Sequence, residues 1–212
     1  MNLKNAATNC NVCRESAKDQ ARFGSEATGL RFENAVFDVD FRVLQDAVAK
    51  YGVVVMRSTS LTDKTHLKFA RKFSDADDVT LYNRAGRAGN TMSSSIFNPH
   101  RAGPSLLLVH ELPPNGSSSG LAFADSRVAY DELKERTAQY LIYNDFIAGH
   151  SPHEKSGRMN LYIASHVHYI EGLEADKSQE LFDKLYNHTR QENYIIQVDW
   201  HGSEDLLIWD NT

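Results

Sequence analysis

The stretch from Phe97 to Arg127, FNPHRAGPSLLLVHELPPNGSSSGLAFADSR, restricts what this chain can fold into more than any other. Ser105 to Glu111 is an apolar run of strand length, closed by Pro113 and Pro114. A Gly/Ser loop then leads into a second short strand, Leu121 to Ala124. The pattern predicts two core strands joined by a flexible loop.

Composition bounds the rest. A chain of 212 residues that is 41% hydrophobic and 24% charged is of ordinary globular make-up and long enough to bury roughly 70% of its unfolded surface. The net charge of −5 and pI near 6.0 give no electrostatic reason to expect nucleic acid or an anionic membrane, since such partners call for clustered Lys and Arg. No apolar run approaches the ~18 residues of a membrane span, and Met1 to Asn11 is polar with no signal-peptide core. A cytoplasmic protein is therefore expected.

Cys10 and Cys13 form a Cys-x-x-Cys pair. Zinc would need a second ligand pair, and a redox motif would need a surrounding strand and helix. Neither is visible nearby, so residues 1–20 read as a weakly ordered tail.

From Ala21 the folded part begins. Asp40 is an N-cap type of residue, Phe41, Leu44, Ala47 and Val48 recur at helical spacing, and Gly52 stands where a helix-ending glycine is expected. Val53 to Met56 is a continuous apolar run, as in a strand covered on both faces, with Arg57 at its end. Thr62 can cap a second helix whose Leu67, Phe69, Ala70 and Phe73 supply a packing face. Further on, Ala129 to Tyr140 reads as a partly amphipathic helix with Tyr130 and Leu133 on one side. Asp176 to Thr189 reads as a helix with Leu181, Phe182, Leu185 and Tyr186 on one face. Tyr194, Ile196, Val198 and Trp200 alternate as in a half-buried strand. Strands interleaved with a few helices suit a jelly-roll core.

HELPP, the Gly-rich loop and FAD resemble the centre of the TauD/TfdA family of non-haem Fe(II)/2-oxoglutarate dioxygenases, and especially its fungal 2,4-dichlorophenoxyacetate-dioxygenase-like members. YGVVVMR to FARKF, His150-Ser151, EKSGRMNLYIASHVHYIEGL and DLLIWDNT carry the similarity onward. The resemblance implies a mainly β, α+β fold, the double-stranded β-helix or jelly roll of clavaminate synthase, incomplete at its C-terminal end. It implies one domain over 21–212, with shortened internal regions and a truncated C-terminus. It also implies Fe(II) and 2-oxoglutarate as cofactors, and oxidative decarboxylation coupled to hydroxylation of a small organic acid.

The residues that should carry this chemistry differ. Ferrous iron in the family needs two histidines and one carboxylate on one octahedral face, and the first two come from a His-x-Asp pair shortly before the segment equivalent to Phe97-Asn98-Pro99. Aligning back without a gap puts Met92 and Ser94 at those positions, and no His or acidic residue lies between Val79 and Phe97. A thioether is a poor ferrous ligand and a serine brings no charge. Leu121 stands in the place of the Thr that helps bind the co-substrate carboxylate. The chain stops at Thr212, before the distal His and the co-substrate Arg of the family can appear. By this carry-over the chain has no catalytic, cofactor-binding or metal-binding residue, and is expected not to bind iron or 2-oxoglutarate.

Other constellations carry less. His166 and His168 share a face if Ala164 to Ile170 is extended, and form the one alternative metal pair, although two ligands are not a site. His110 reads as a hydrogen-bonded core histidine, His150 and Asp125 as structural groups at strand ends. Ser117, Ser118 and Ser119 lack the strained elbow of a serine hydrolase. Arg101, Arg127 and Arg158 read equally as relics of an acidic-substrate site or as solvated, fold-capping residues. Three functions follow: an incomplete dioxygenase gene product, a catalytically silent paralogue that binds a ligand or partner, or an enzyme with a metal site rebuilt around His166 and His168. A barrel missing its closing strands would leave an oligomer or partner subunit to cover its edges.

Overall fold

The computed structural model describes residues 10–13, 23–32, 36–73, 103–112, 114, 120–134, 151–152, 155–161, 163, 167 and 169–211. They belong to two compact units, 1–121 with 198–212, and 122–197.

The first unit is built on a five-stranded sheet in the order β1-β2-β3-β9-β4. Its strands are β1 (Asn11–Cys13), β2 (Ser25–Thr28), β3 (Val53–Met56), β4 (Ser105–Leu108) and β9 (Leu206–Trp209). β2 and β3 run parallel, and every other neighbouring pair is antiparallel. The register places Val54 and Leu106 either side of Ile208, and Met56 and Leu108 either side of Leu206. With a side-chain period of two, these residues share one face, and they join one hydrophobic cluster. Val53, Val55 and Leu207 point to the opposite face and are also buried. The apolar runs VVVM and LLI thus form strands buried on both sides, as the sequence predicts for the first of them.

Helix α1 (Asp38–Tyr51) packs Phe41, Leu44 and Val48 into that cluster. It starts earlier than the sequence suggests: Phe37 is the N-cap and makes no side-chain cap bond, whereas Asp40 is buried inside the helix and accepts a hydrogen bond from the Cys10 amide. Gly52 ends the helix at φ 74°, its N–H bonded to Val48 O, a backbone state open to glycine at little cost. Helix α2 (Asp63–Ala70) is capped as expected, Thr62 and Thr65 bonding each other's backbone amides. Its packing face is narrower than expected. Phe69 is buried, but Leu67 is 47% exposed, because two residues turn roughly 200° around a helix. Phe73 lies in the turn after the helix and stacks edge-on against Phe41 and Phe69.

Within 1–20, expected as a weakly ordered tail, Cys10 is buried and Asn11–Cys13 pair with β2. The other residues of that span lie outside those described.

The second unit contains most of β5 (Leu121–Ala124) and β8 (Ile195–Val198), which form a two-stranded sheet, and a short hairpin of β6 (Ser151–Pro152) and β7 (Met159–Asn160). Helix α3 spans Ser126–Asp131, three residues earlier than predicted at its start, because the Asp125 carboxylate caps it by accepting from the Arg127 and Val128 amides. Residues 135–140 of the predicted helix lie outside those described. Helix α4 (Ala175–Thr189) buries Phe182 and Leu185. Together with Ala129, Tyr130, Leu161 and Tyr194, Leu185 forms the second core.

Candidate functional site

Polar side chains held at strand ends form the candidate sites, and three clusters lie in the first unit. At the end of β9, Asn211 accepts from Trp209 Nε1 at 2.8 Å and donates to Gly103 O at 3.2 Å and to Ser105 Oγ. The Asp210 amide donates to Gly52 O at 2.8 Å. These bonds tie the end of β9 to the start of β4 and to the glycine that ends α1.

At the opposite end of the same strand, Asp205 is 1% exposed. Its Oδ1 accepts from the Ser58 amide at 3.1 Å, and its Oδ2 from Arg57 Nη1 and the His201 amide, both at 2.9 Å. Burial alone would raise the pKa of this carboxyl, but these donors and the Arg57 charge outweigh it and hold it below the ordinary carboxylate value. Arg57 also donates to Asp199 O and lies 3.6 Å from Glu26. Ser58, Ser60 and Glu204, all non-glycine residues, have positive φ around this knot. Two hydrogen bonds to Glu204 O, from the Thr59 amide and hydroxyl, hold the loops together.

The third cluster joins α2 to the segment after β4. His110 Nε2 lies 3.2 Å from Asp63 Oδ1, and His66 Nε2 is buried without a hydrogen-bond partner among the described residues. Desolvation, reinforced by His110 and opposed by Asp63, lowers the His66 pKa below its ordinary value. The sequence reading of His110 as a core histidine is corrected: its side chain is 66% exposed. The strand ends at Leu108 and only the Val109 backbone continues the pairing, with Asp205 O and the Glu204 amide, which leaves His110 outside the ladder.

In the second unit, Asp125 and Arg127 are both buried. Asp125 Oδ1 accepts from two backbone amides and from Arg127 Nε at 3.3 Å, so the carboxylate caps α3 and the Arg127 side chain pairs with it. Ser126 Oγ donates to Asn160 Oδ1 at 3.3 Å, and the Leu161 amide to Ser126 O at 3.0 Å. Asp125 Oδ2 and Asn160 Nδ2 are buried without a partner among the described residues. Arg158 pairs with Asp131 at the surface.

Leu121, at the head of β5, is half-buried; its hydrocarbon side chain offers no hydrogen bond to a carboxylate. Met92, Ser94, Arg101, Ser117, Ser118, Ser119, His150, His166 and His168 lie outside the described residues. Among the described residues no three or more His, Cys, Asp or Glu side chains are grouped to hold a metal ion. Burial, with the Asp40 charge as the smaller cause, pushes the Cys10 thiol up to about 11, the opposite of what a redox or zinc-binding thiolate needs. No helix among the described residues is long and apolar enough to cross a membrane.

The sequence reading missed His66 and the Arg57–Asp205 pair. Arg57 is visible at the end of its strand and Asp205 at the start of DLLIWDNT, but the two stand 148 residues apart and no local pattern links them.

Comparison with known proteins supplies the remaining finding. The family model described as "Taurine catabolism dioxygenase TauD, TfdA family" matches residues 15–155 and 145–212. An (S)-phenoxypropionate/alpha-ketoglutarate-dioxygenase of Sphingobium herbicidovorans is 25% identical over 90% of this chain and 84% of its own length. Among solved structures, AAD-2 in complex with Mn(II) and N-oxalylglycine superposes with a TM-score of 0.74 at 24% identity, covering 91% of this chain and 85% of that one. A putative alpha-ketoglutarate-dependent taurine dioxygenase from Burkholderia xenovorans reaches 0.78 at 17% identity, covering 95% and 83%. The chain shares the fold of these proteins.

Proposed function

Because the chain belongs to the TauD/TfdA family of 2-oxoglutarate-dependent dioxygenases, we propose that it keeps the family's fold without its iron chemistry and acts as a ligand- or partner-binding protein. The observation that carries this reading is the donor set. Met92 and Ser94 stand where an ungapped alignment needs a histidine and a carboxylate, and Leu121 where it needs a hydroxyl donor. When bound in the family, iron supplies the centre at which 2-oxoglutarate and oxygen react; a thioether, a neutral hydroxyl and a hydrocarbon do not fit that group. No catalytic step is therefore assigned to Met92, Ser94 or Leu121.

The proposal takes the described sheets as parts of a double-stranded β-helix in a soluble, cytoplasmic protein. What this chain retains is a site for a small organic acid, in line with the phenoxypropionate named for its relative. A partner subunit over its sheet edges belongs to the same reading, and sedimentation that finds only a monodisperse monomer would remove that part. The deciding experiment is an anaerobic titration of the protein with ferrous iron and 2-oxoglutarate, followed by visible absorbance. No charge-transfer band is expected. A band at stoichiometric iron would overturn the proposal and favour a metal site rebuilt around His166 and His168.

A further inference from the structure

We draw no further inference here: the strongest candidate, the outer edge of β4 with the apolar cleft beside it that Leu107, Leu112 and Trp200 line, carries nothing because nothing in the structure shows what covers it.

Discussion

Asp205→Asn isolates the knot that ties β9 to the end of β3. The native carboxylate receives three hydrogen bonds, one at Oδ1 and two at Oδ2. Asparagine keeps the size and one oxygen, so the Ser58 amide retains its acceptor. The new amide nitrogen, however, would face two donors, Arg57 Nη1 and the His201 amide, and the guanidinium would lose its buried counter-charge. Removing one partner of a buried pair costs roughly 3–5 kcal/mol, and the surviving bond places this variant at the low end, about 3 kcal/mol. With a urea slope of roughly 1–3 kcal/mol per molar, the midpoint should fall by about 1–3 M. Both tryptophans of the chain, Trp200 and Trp209, lie in the same unit as Asp205, so intrinsic fluorescence follows the unfolding that matters. Asp205 also sets the sign of a pH effect. Its folded pKa lies below the ordinary value of 3.8, so its contribution is complete above that value and disappears as pH falls through the folded pKa. The gap between wild type and variant should therefore be full at neutral pH and close as the solution is acidified below about pH 4. A gap under about 1 kcal/mol at neutral pH, or one that does not change on acidification, would refute this account of the knot.

Phe69→Ala should cost about 3–5 kcal/mol, since the ring is buried and meets Phe32, Phe41 and Phe73 edge-on. Leu67→Ala, on the exposed side of the same helix, should stay within about 0.5 kcal/mol; equal losses in urea melts would show that the helix packs the other way round. In a Cys13→Ser background, Cys10 should resist a thiol reagent at mildly alkaline pH until the protein unfolds, and rapid labelling of the native state would contradict its burial. Its raised folded pKa also predicts stability that is constant below the ordinary value of 9.0 and lost as pH rises towards about 11. For His66, whose folded pKa is lowered, stability should fall as pH drops through the ordinary value of 6.5. His66→Gln should remove that slope from the urea midpoints, and an unchanged slope would assign it to another group.

The sequence by itself determined the local elements. VVVM is a continuous apolar run of strand length, as a strand covered on both faces requires. Phe41, Leu44, Ala47 and Val48 repeat at helical spacing before Gly52, and FAD after the Gly/Ser loop marks β5. These signals are legible because they depend on near neighbours, through a period of two or 3.6 residues and a terminal cap.

Tertiary structure alone decided what those elements meet. β9, the last strand, inserts between β3 and β4, so Ile208 faces both Val54 and Leu106, and nothing in either segment names the other. Asp40, which reads as a helix cap, instead receives the Cys10 amide from 30 residues away. His110 sits in an apolar run yet stands exposed against Asp63, because the ladder stops two residues before it. Asp205 resembles any acid at the start of a strand until Arg57 and two backbone amides converge on it. The physical reason is common to all four. Hydrophobic periodicity specifies which face of an element must be buried, but burial is non-directional, and many partners would satisfy it. Hydrogen bonds and charges choose among those partners, and they do so only when the folded chain brings distant groups within about 3 Å.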